Sequence, residues 1–482
     1  MDVVVVGSGP GGLAAAVTLA RSGLAVEVLE AQPTAGGGAR TADLGLGPGV
    51  VHDVCSAVHP LALASPFFRR FDLAARGVEL AVPEVSYAQP LDGGVAGLAL
   101  RDLGRTADGL GVDGAAWLDL MAPLVEHVDG LVALLLGDHR HVPADLPTAL
   151  RLALRAAEQG LGATWGRRFR GPVAPALLTG VAAHTTTRLP SIPAAGTSLL
   201  LSTLAHAGGW ALPRGGSQAI TDALLADLAA HGGVVRTGHA VRTSDDLPAA
   251  RAYVFDTVPS LVARVLPRHL APGVAAAYGR YRHGAGAAKV DFVLSGPVPW
   301  AADGVGRAST VHLGGTREQM AAAEDAVARG RHAAHPVVLV SDPSLTDPGR
   351  LGRDGTRPLW TYAHVPARSV VDVTEAVTAQ VERYAPGFRD VVVAARCVPA
   401  ARMADDNANY VGGDIAAGAV TLRRVLGGPA PRWDPYRAGD GVYLCSAAVP
   451  PGPGVHGMGG WHAARRVLAD VFGIRRPPSL AP

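Results

Sequence analysis

The chain has 482 residues, 48% of them hydrophobic and 17% charged, so it is long enough for two or three domains with substantial cores. Its formal net charge is +2 and no basic tract is interleaved with aromatics, which argues against a nucleic-acid partner. The cysteines Cys55, Cys397 and Cys445 stand far apart, with no CxxC pair and no metal-ligand spacing; with no leader pattern at the N-terminus, this predicts a cytoplasmic chain without disulfides. No apolar run reaches the ~20 residues of a membrane span, so no transmembrane segment is expected, while peripheral membrane contact stays open.

Asp2 to Val6 predicts a short buried strand. Gly7-Ser8-Gly9-Pro10-Gly11-Gly12 follows, then an Ala/Leu-rich helix from Leu13 to Ser22 that Gly23 ends. Val26 to Glu30 is a second strand, and the whole makes a βαβ unit of ~30 residues. Gly7 allows the tight turn, Gly9 lets backbone approach a pyrophosphate, and Gly12 lets helix and strand pack closely. The helix N-terminus offers free N–H groups and partial positive charge to phosphates. Glu30 lies ~20 residues on, where a carboxylate accepts ribose hydroxyls. A glycine motif in this strand–helix context predicts a dinucleotide without choosing which one. The second glycine-rich loop, Gly36 to Thr41, suits a ligand whose pyrophosphate extends inward toward a buried ring.

From about Ser65 to Leu204, long Ala/Leu/Arg segments punctuated by proline predict mostly helix. Pro213-Arg214-Gly215-Gly216 breaks the pattern. A helix over 217–231 and strands over 234–237 and 252–257 follow. Residues 280–400 mix strands (289–294, 336–341, 391–397) with helices (317–329, 374–384). The C-terminal part predicts a strand over 441–445, a Pro/Gly loop over 450–454 and a helix from about Gly457.

One lysine, Lys289, stands among 43 basic residues. Coding bias toward arginine explains the depletion. Arginine cannot substitute where a compact ammonium, or an amine able to lose its proton, is required, which singles out Lys289; the alternative is a surface or salt-bridged lysine on a strand.

The glycine loops, Pro213 to Gly216 and Tyr443 to Gly460 together resemble the large flavoprotein group of phytoene desaturases, phytoene dehydrogenase-like oxidoreductases and flavin amine oxidases. The stretches His52 to Pro60, Tyr410 to Asp414 and Val455 to Met458 are most similar to the phytoene dehydrogenase-like branch. The resemblance covers nearly the whole chain and implies FAD. It implies contacts from Gly7, Ser8, Gly9, Pro10, Gly11, Gly12, Glu30 and Ala31, and from Gly37, Gly38, Arg40 and Thr41 in the second loop. It adds Val58, Val241 near the adenine, Ser446, and Gly457, Met458 and Gly459 at a helix start aimed at the flavin. Relatives carry a Gly-Asp pair near Ser446-Ala447; this chain does not, so its contact there differs. In the amine oxidase relatives a lysine placed like Lys289 bonds a water at the flavin, which makes Lys289 the catalytic candidate.

His59, His456 and Trp461 are expected to line the substrate cavity. His184 and His206 are expected to be structural, as are the cysteines, and Asp53 to brace a loop. No GxSxG elbow, HExxH motif or carboxylate cluster is present, which disfavours hydrolysis and metal catalysis.

The expected fold class is α/β: a Rossmann-type FAD-binding domain (1–75, 205–265 and 400–482) with a mixed-sheet substrate domain and helical cap (76–204 and 266–399). The expected function is FAD-dependent dehydrogenation of a small, largely apolar organic molecule, with oxygen or a quinone as electron acceptor. Three alternatives stay open: an amine oxidase, a redox-neutral isomerase, and a non-catalytic escort protein of the same fold.

Overall fold

The computed structural model describes residues 1–482. The chain is mixed α/β and is organised around two sheets. The first has six strands, in the order Arg437–Gly439, Val442–Leu444, Ala252–Phe255, Val3–Val6, Val26–Leu29, Val234–Arg236. All neighbours run parallel except the edge strand Arg437–Gly439. All four valines of Val3–Val6 are buried, as expected of a parallel strand covered on both faces. The helix Pro10–Ala20 packs against Gln218–Ala230 and Met458–Val471, so three distant stretches of chain close one layer.

The second sheet has seven strands, in the order Val392–Val398, Gly286–Leu294, Arg357–Val365, Val338–Ser341, Thr310–Leu313, Val85–Leu91, Val95–Leu100. Its faces separate by residue parity. Val290, Phe292, Val311, Val340, Leu359 and Ala363 point into an apolar core of 25 buried residues. The alternate residues carry polar and aromatic groups. One cross-strand row is Thr310, Ser341, Trp360, Asp291; the next is His312, Leu339, Tyr362, Lys289.

The stretch expected to be mostly helix, 65–204, also contains the hairpin Val85–Leu91/Val95–Leu100. Every residue of Val85–Leu91 is buried, so no polar–apolar alternation marks it as a strand. The turn signal Asp92-Gly93-Gly94 was the available cue; both glycines have positive φ. Strands Thr310–Leu313 and Arg357–Val365 were likewise not expected.

The rest of that stretch is helical and includes Val128–Leu136, Leu146–Gly160 and Ile192–Ala207. Leu146–Gly160 starts on the Asp145 side chain, which accepts from the Thr148 amide at 3.0 Å, with Pro147 in the first turn. Leu152 and Ala156, one turn apart, point inward, while Leu146, Leu150 and Leu154 are exposed on the other side. No helix is long and apolar enough to cross a membrane.

Candidate functional site

A cavity of about 1330 Å³ is walled by both sheets and by the helical cap. Its volume exceeds that of most single-ligand pockets. One end is built from glycine loops. Gly7 has φ +98°, and a Cβ on Gly12 would stand 2.1 Å from the Gly7 carbonyl oxygen, so the turn and the helix packing both need glycine. Glu30 is buried at the end of its strand; it accepts from the Ser8 amide at 2.9 Å and from the Gln32 amide at 2.8 Å. Gly7, Ser8, Gly9, Pro10, Gly11, Glu30, Ala31, Gly37 and Gly38 all reach the cavity wall. Gly12 does not; its amide donates to Asp256 Oδ2 at 2.8 Å.

Two of the second-loop residues stand behind the wall. Arg40 Nε donates to the Gly37 carbonyl at 2.8 Å, and its guanidinium also reaches Thr34 and the Asp406 carbonyl. Thr41 Oγ1 donates to Asp53 at 2.7 Å and accepts from the Gln218 amide. Both shape the loop rather than face the cavity, because each side chain is consumed by local partners. Asp53 braces this region, pairing with Arg350 and accepting from the Ser217 amide at 2.8 Å.

The C-terminal helix enters the same space. Gly457 has φ +66° and, with Gly459, lines the cavity. A Cβ on Gly460 would stand 1.8 Å from the Gly11 carbonyl oxygen, so the two helix starts touch through glycine. Met458 is buried away from the wall, and its amide donates to His456 Nδ1 at 3.0 Å. Val58, Val241 and Ser446 line the cavity. Beside Ser446-Ala447, the buried Arg424 donates to the carbonyls of Ala416 and Ala447, each at 3.0 Å. No sequence motif announces Arg424.

Of the residues expected to line a substrate space, His59 and His456 do. Burial lowers each to about 4, so both are neutral at pH 7. His59 Nε2 bonds Ser217 Oγ at 2.8 Å. His456 is saturated by the Met458 amide and the Gly452 carbonyl. Trp461 lies elsewhere: its ring is covered by Arg70 and Arg465, one turn into the helix and pointing away. His206 is structural, bonded to the Leu100 carbonyl and to Trp117. His184 is not only structural. It lines the cavity and its Nε2 meets His312 Nε2 at 2.8 Å, with burial lowering His184 to about 3. Cys55 and Cys445 also line the cavity, but burial raises both thiols, so neither is a thiolate at pH 7.

Lys289 is buried in the cavity wall and pairs with Asp291. His52 Nδ1 lies 3.4 Å from the same carboxylate oxygen. Asp291 is held below the usual carboxylate range: burial opposes ionisation, but Lys289 and His52 outweigh it. The sheet floor beside Lys289 consists of Thr310, Leu339, Trp360 and Tyr362. Across from it, Leu134, Leu152, Ile192, Leu200 and Leu201 form an apolar roof. Val142, Leu422 and Leu426 line the cavity while remaining solvent-exposed, which marks its mouth.

Residues 5–71 match the model of the NAD(P)-binding Rossmann-like domain. A comparison with curated proteins finds no match. Among solved structures, the chain is similar to a putrescine oxidase triple mutant, at 18% identity and a TM-score of 0.62 over 98% of each chain. It is similar to an oxidoreductase from Methanosarcina mazei, at 16% identity and a TM-score of 0.58, over 98% of this chain and 100% of that one. A cyclohexylamine oxidase from Brevibacterium oxydans gives 14% identity and a TM-score of 0.53 over 98% of each. The chain thus carries a Rossmann-like dinucleotide-binding segment within a mixed α/β fold that these oxidoreductase structures share over nearly their full length.

Proposed function

We propose that the protein is an FAD-dependent oxidoreductase of the phytoene dehydrogenase-like kind, acting on a largely apolar organic substrate. The observation that carries this is the meeting of three elements at one cavity: two glycine loops and a glycine-flanked helix start. Gly7 makes the tight turn, Gly9 lets the backbone approach a pyrophosphate, and Glu30 suits a ribose. The Met458–Val471 helix start places partial positive charge beside the cavity. Bound FAD supplies a hydride acceptor, with oxygen or a quinone restoring the oxidised form.

The chain's own residues do the rest. The leucine and isoleucine roof excludes water and takes up the apolar body of the substrate. Lys289, tethered by Asp291, holds a proton donor at the sheet side of the cavity. Peripheral membrane contact belongs to the same proposal. The exposed Leu146, Leu150 and Leu154 lie on the helix whose inner face roofs the cavity, and Arg151 is exposed between them.

A visible spectrum of the purified protein tests the proposal, followed by anaerobic bleaching with candidate substrates. Flavin bands that bleach with an apolar alcohol, ketone or alkene support it. A colourless protein that takes up no FAD on reconstitution overturns it.

A further inference from the structure

We propose that the row Thr310, Ser341, Trp360 is a subsite for a neutral oxygen group, a hydroxyl or a carbonyl, on an otherwise apolar substrate. The subsite deepens the oxidoreductase proposal above and depends on it for its catalytic meaning. The three residues are cross-strand neighbours on the polar face of the seven-stranded sheet. Their relative exposures are 2%, 0% and 8%. Thr310 Oγ1, Ser341 Oγ and Trp360 Nε1 all lack a hydrogen-bond partner in the protein. Thr310 and Trp360 line the cavity.

Buried polar atoms are ordinarily paired, and several other buried groups of the same kinds here are, although the Ser309 and Thr186 hydroxyls also lack partners. Trp117 Nε1 donates to His206, and Trp210 Nε1 donates to the Leu201 carbonyl. Ser198 and Thr203 donate to the Leu178 and Leu199 carbonyls. Two unpaired groups on the floor of an apolar cavity, Thr310 and Trp360, with the unpaired Ser341 between them in the same cross-strand row, therefore point to something that enters and pairs with them.

The chemistry of the row sets what that is. An indole N–H only donates, whereas each hydroxyl donates or accepts. The set offers up to three donors and no charge, which matches an oxygen acceptor. A hydrocarbon would leave all three unpaired. An ammonium would need a free carboxylate, but Asp291, at the end of the row, is committed to Lys289 and His52. Glu324, behind the next strand position, is committed to His364. A carboxylate would need a free cation, and Lys289 is already paired.

The test uses the flavin-loaded protein and a matched series: dodecane, dodecanol, dodecanone, dodecylamine and dodecanoate. Binding is read from perturbation of the flavin spectrum and, in parallel, from tryptophan fluorescence. Dodecanol or dodecanone is expected to bind at least about tenfold tighter than dodecane, dodecylamine or dodecanoate. Thr310→Val, Ser341→Ala and Trp360→Phe should each erode that preference while leaving dodecane binding within about twofold. Should Trp360→Phe not fold, the two smaller changes carry the test. Equal binding of dodecane and dodecanol overturns the subsite, as does a preference that survives all three substitutions. The fluorescence arm also works on protein without flavin, so a colourless protein that still prefers dodecanol separates failure of the oxidoreductase proposal from failure of the subsite.

Discussion

The Asp256 carboxylate accepts a hydrogen bond from the Gly12 amide at 2.8 Å, inside the loop whose glycines face the cavity. Burial raises Asp256 from 3.8 to about 7, with the Gly12 bond only partly opposing it. The protonated form is thus favoured in the folded state, and stability falls as pH rises from about 4 to 7. An anionic pyrophosphate nearby would favour protonation further. FAD affinity, measured by flavin fluorescence titration, should weaken as pH rises through 7 and beyond. Asp256→Asn should flatten that dependence and raise thermal stability at pH 8. A wild-type affinity independent of pH between 6 and 9 would sink the idea.

Lys289 and Asp291 form a buried pair, so removing one partner strands the other. Asp291→Asn should cost roughly 3–5 kcal/mol in denaturant unfolding, and the double change Lys289→Met/Asp291→Leu much less than the sum of the singles. Lys289→Arg keeps the charge but cannot reproduce a compact ammonium. It should slow flavin reduction or reoxidation by at least about tenfold. A variant that reduces and reoxidises like the parent removes the special role.

Gly460→Ala should lower flavin content per chain and destabilise the protein by roughly 3 kcal/mol or more, because its Cβ would stand 1.8 Å from the Gly11 carbonyl oxygen. Gly45→Ala is not a clean control because Gly45 has positive φ. Gly273→Ala is one, since a Cβ there meets nothing within 4 Å and Gly273 is exposed and away from the cavity. Similar flavin content in both variants would contradict the close contact of the two helix starts.

Leu150→Ser/Leu154→Ser should reduce co-sedimentation with anionic lipid vesicles by several-fold and leave unfolding within about 1 kcal/mol, since both side chains already face solvent. Equal sedimentation of variant and parent would remove the membrane from the proposal.

The Rossmann-like strand–turn–helix at the N-terminus was legible because its signals are local: a turn, a helix start and an acid at fixed spacing. The sheet floor was not. Val85–Leu91 is buried throughout, so the pattern that separates strand from helix is erased. Trp461 was expected in the cavity by its closeness to Gly457, but one helical turn carries it to the side covered by Arg70 and Arg465. His184 and Arg424 acquire their places through partners 128 and 23 residues away, His312 and Ala447, and no local pattern encodes such distances.

The parity of the seven-stranded sheet leaves each strand writing two independent texts. Changes at Thr310, Leu339, Trp360 or Tyr362 retune what the cavity accepts, while Val311, Val340, Leu359 and Thr361 keep the other face packed. Selectivity in such a protein can drift by point substitution on one face while the packing of the other face is kept. A single-residue insertion within Arg357–Val365 would be far harsher, turning every side chain beyond it to the wrong face.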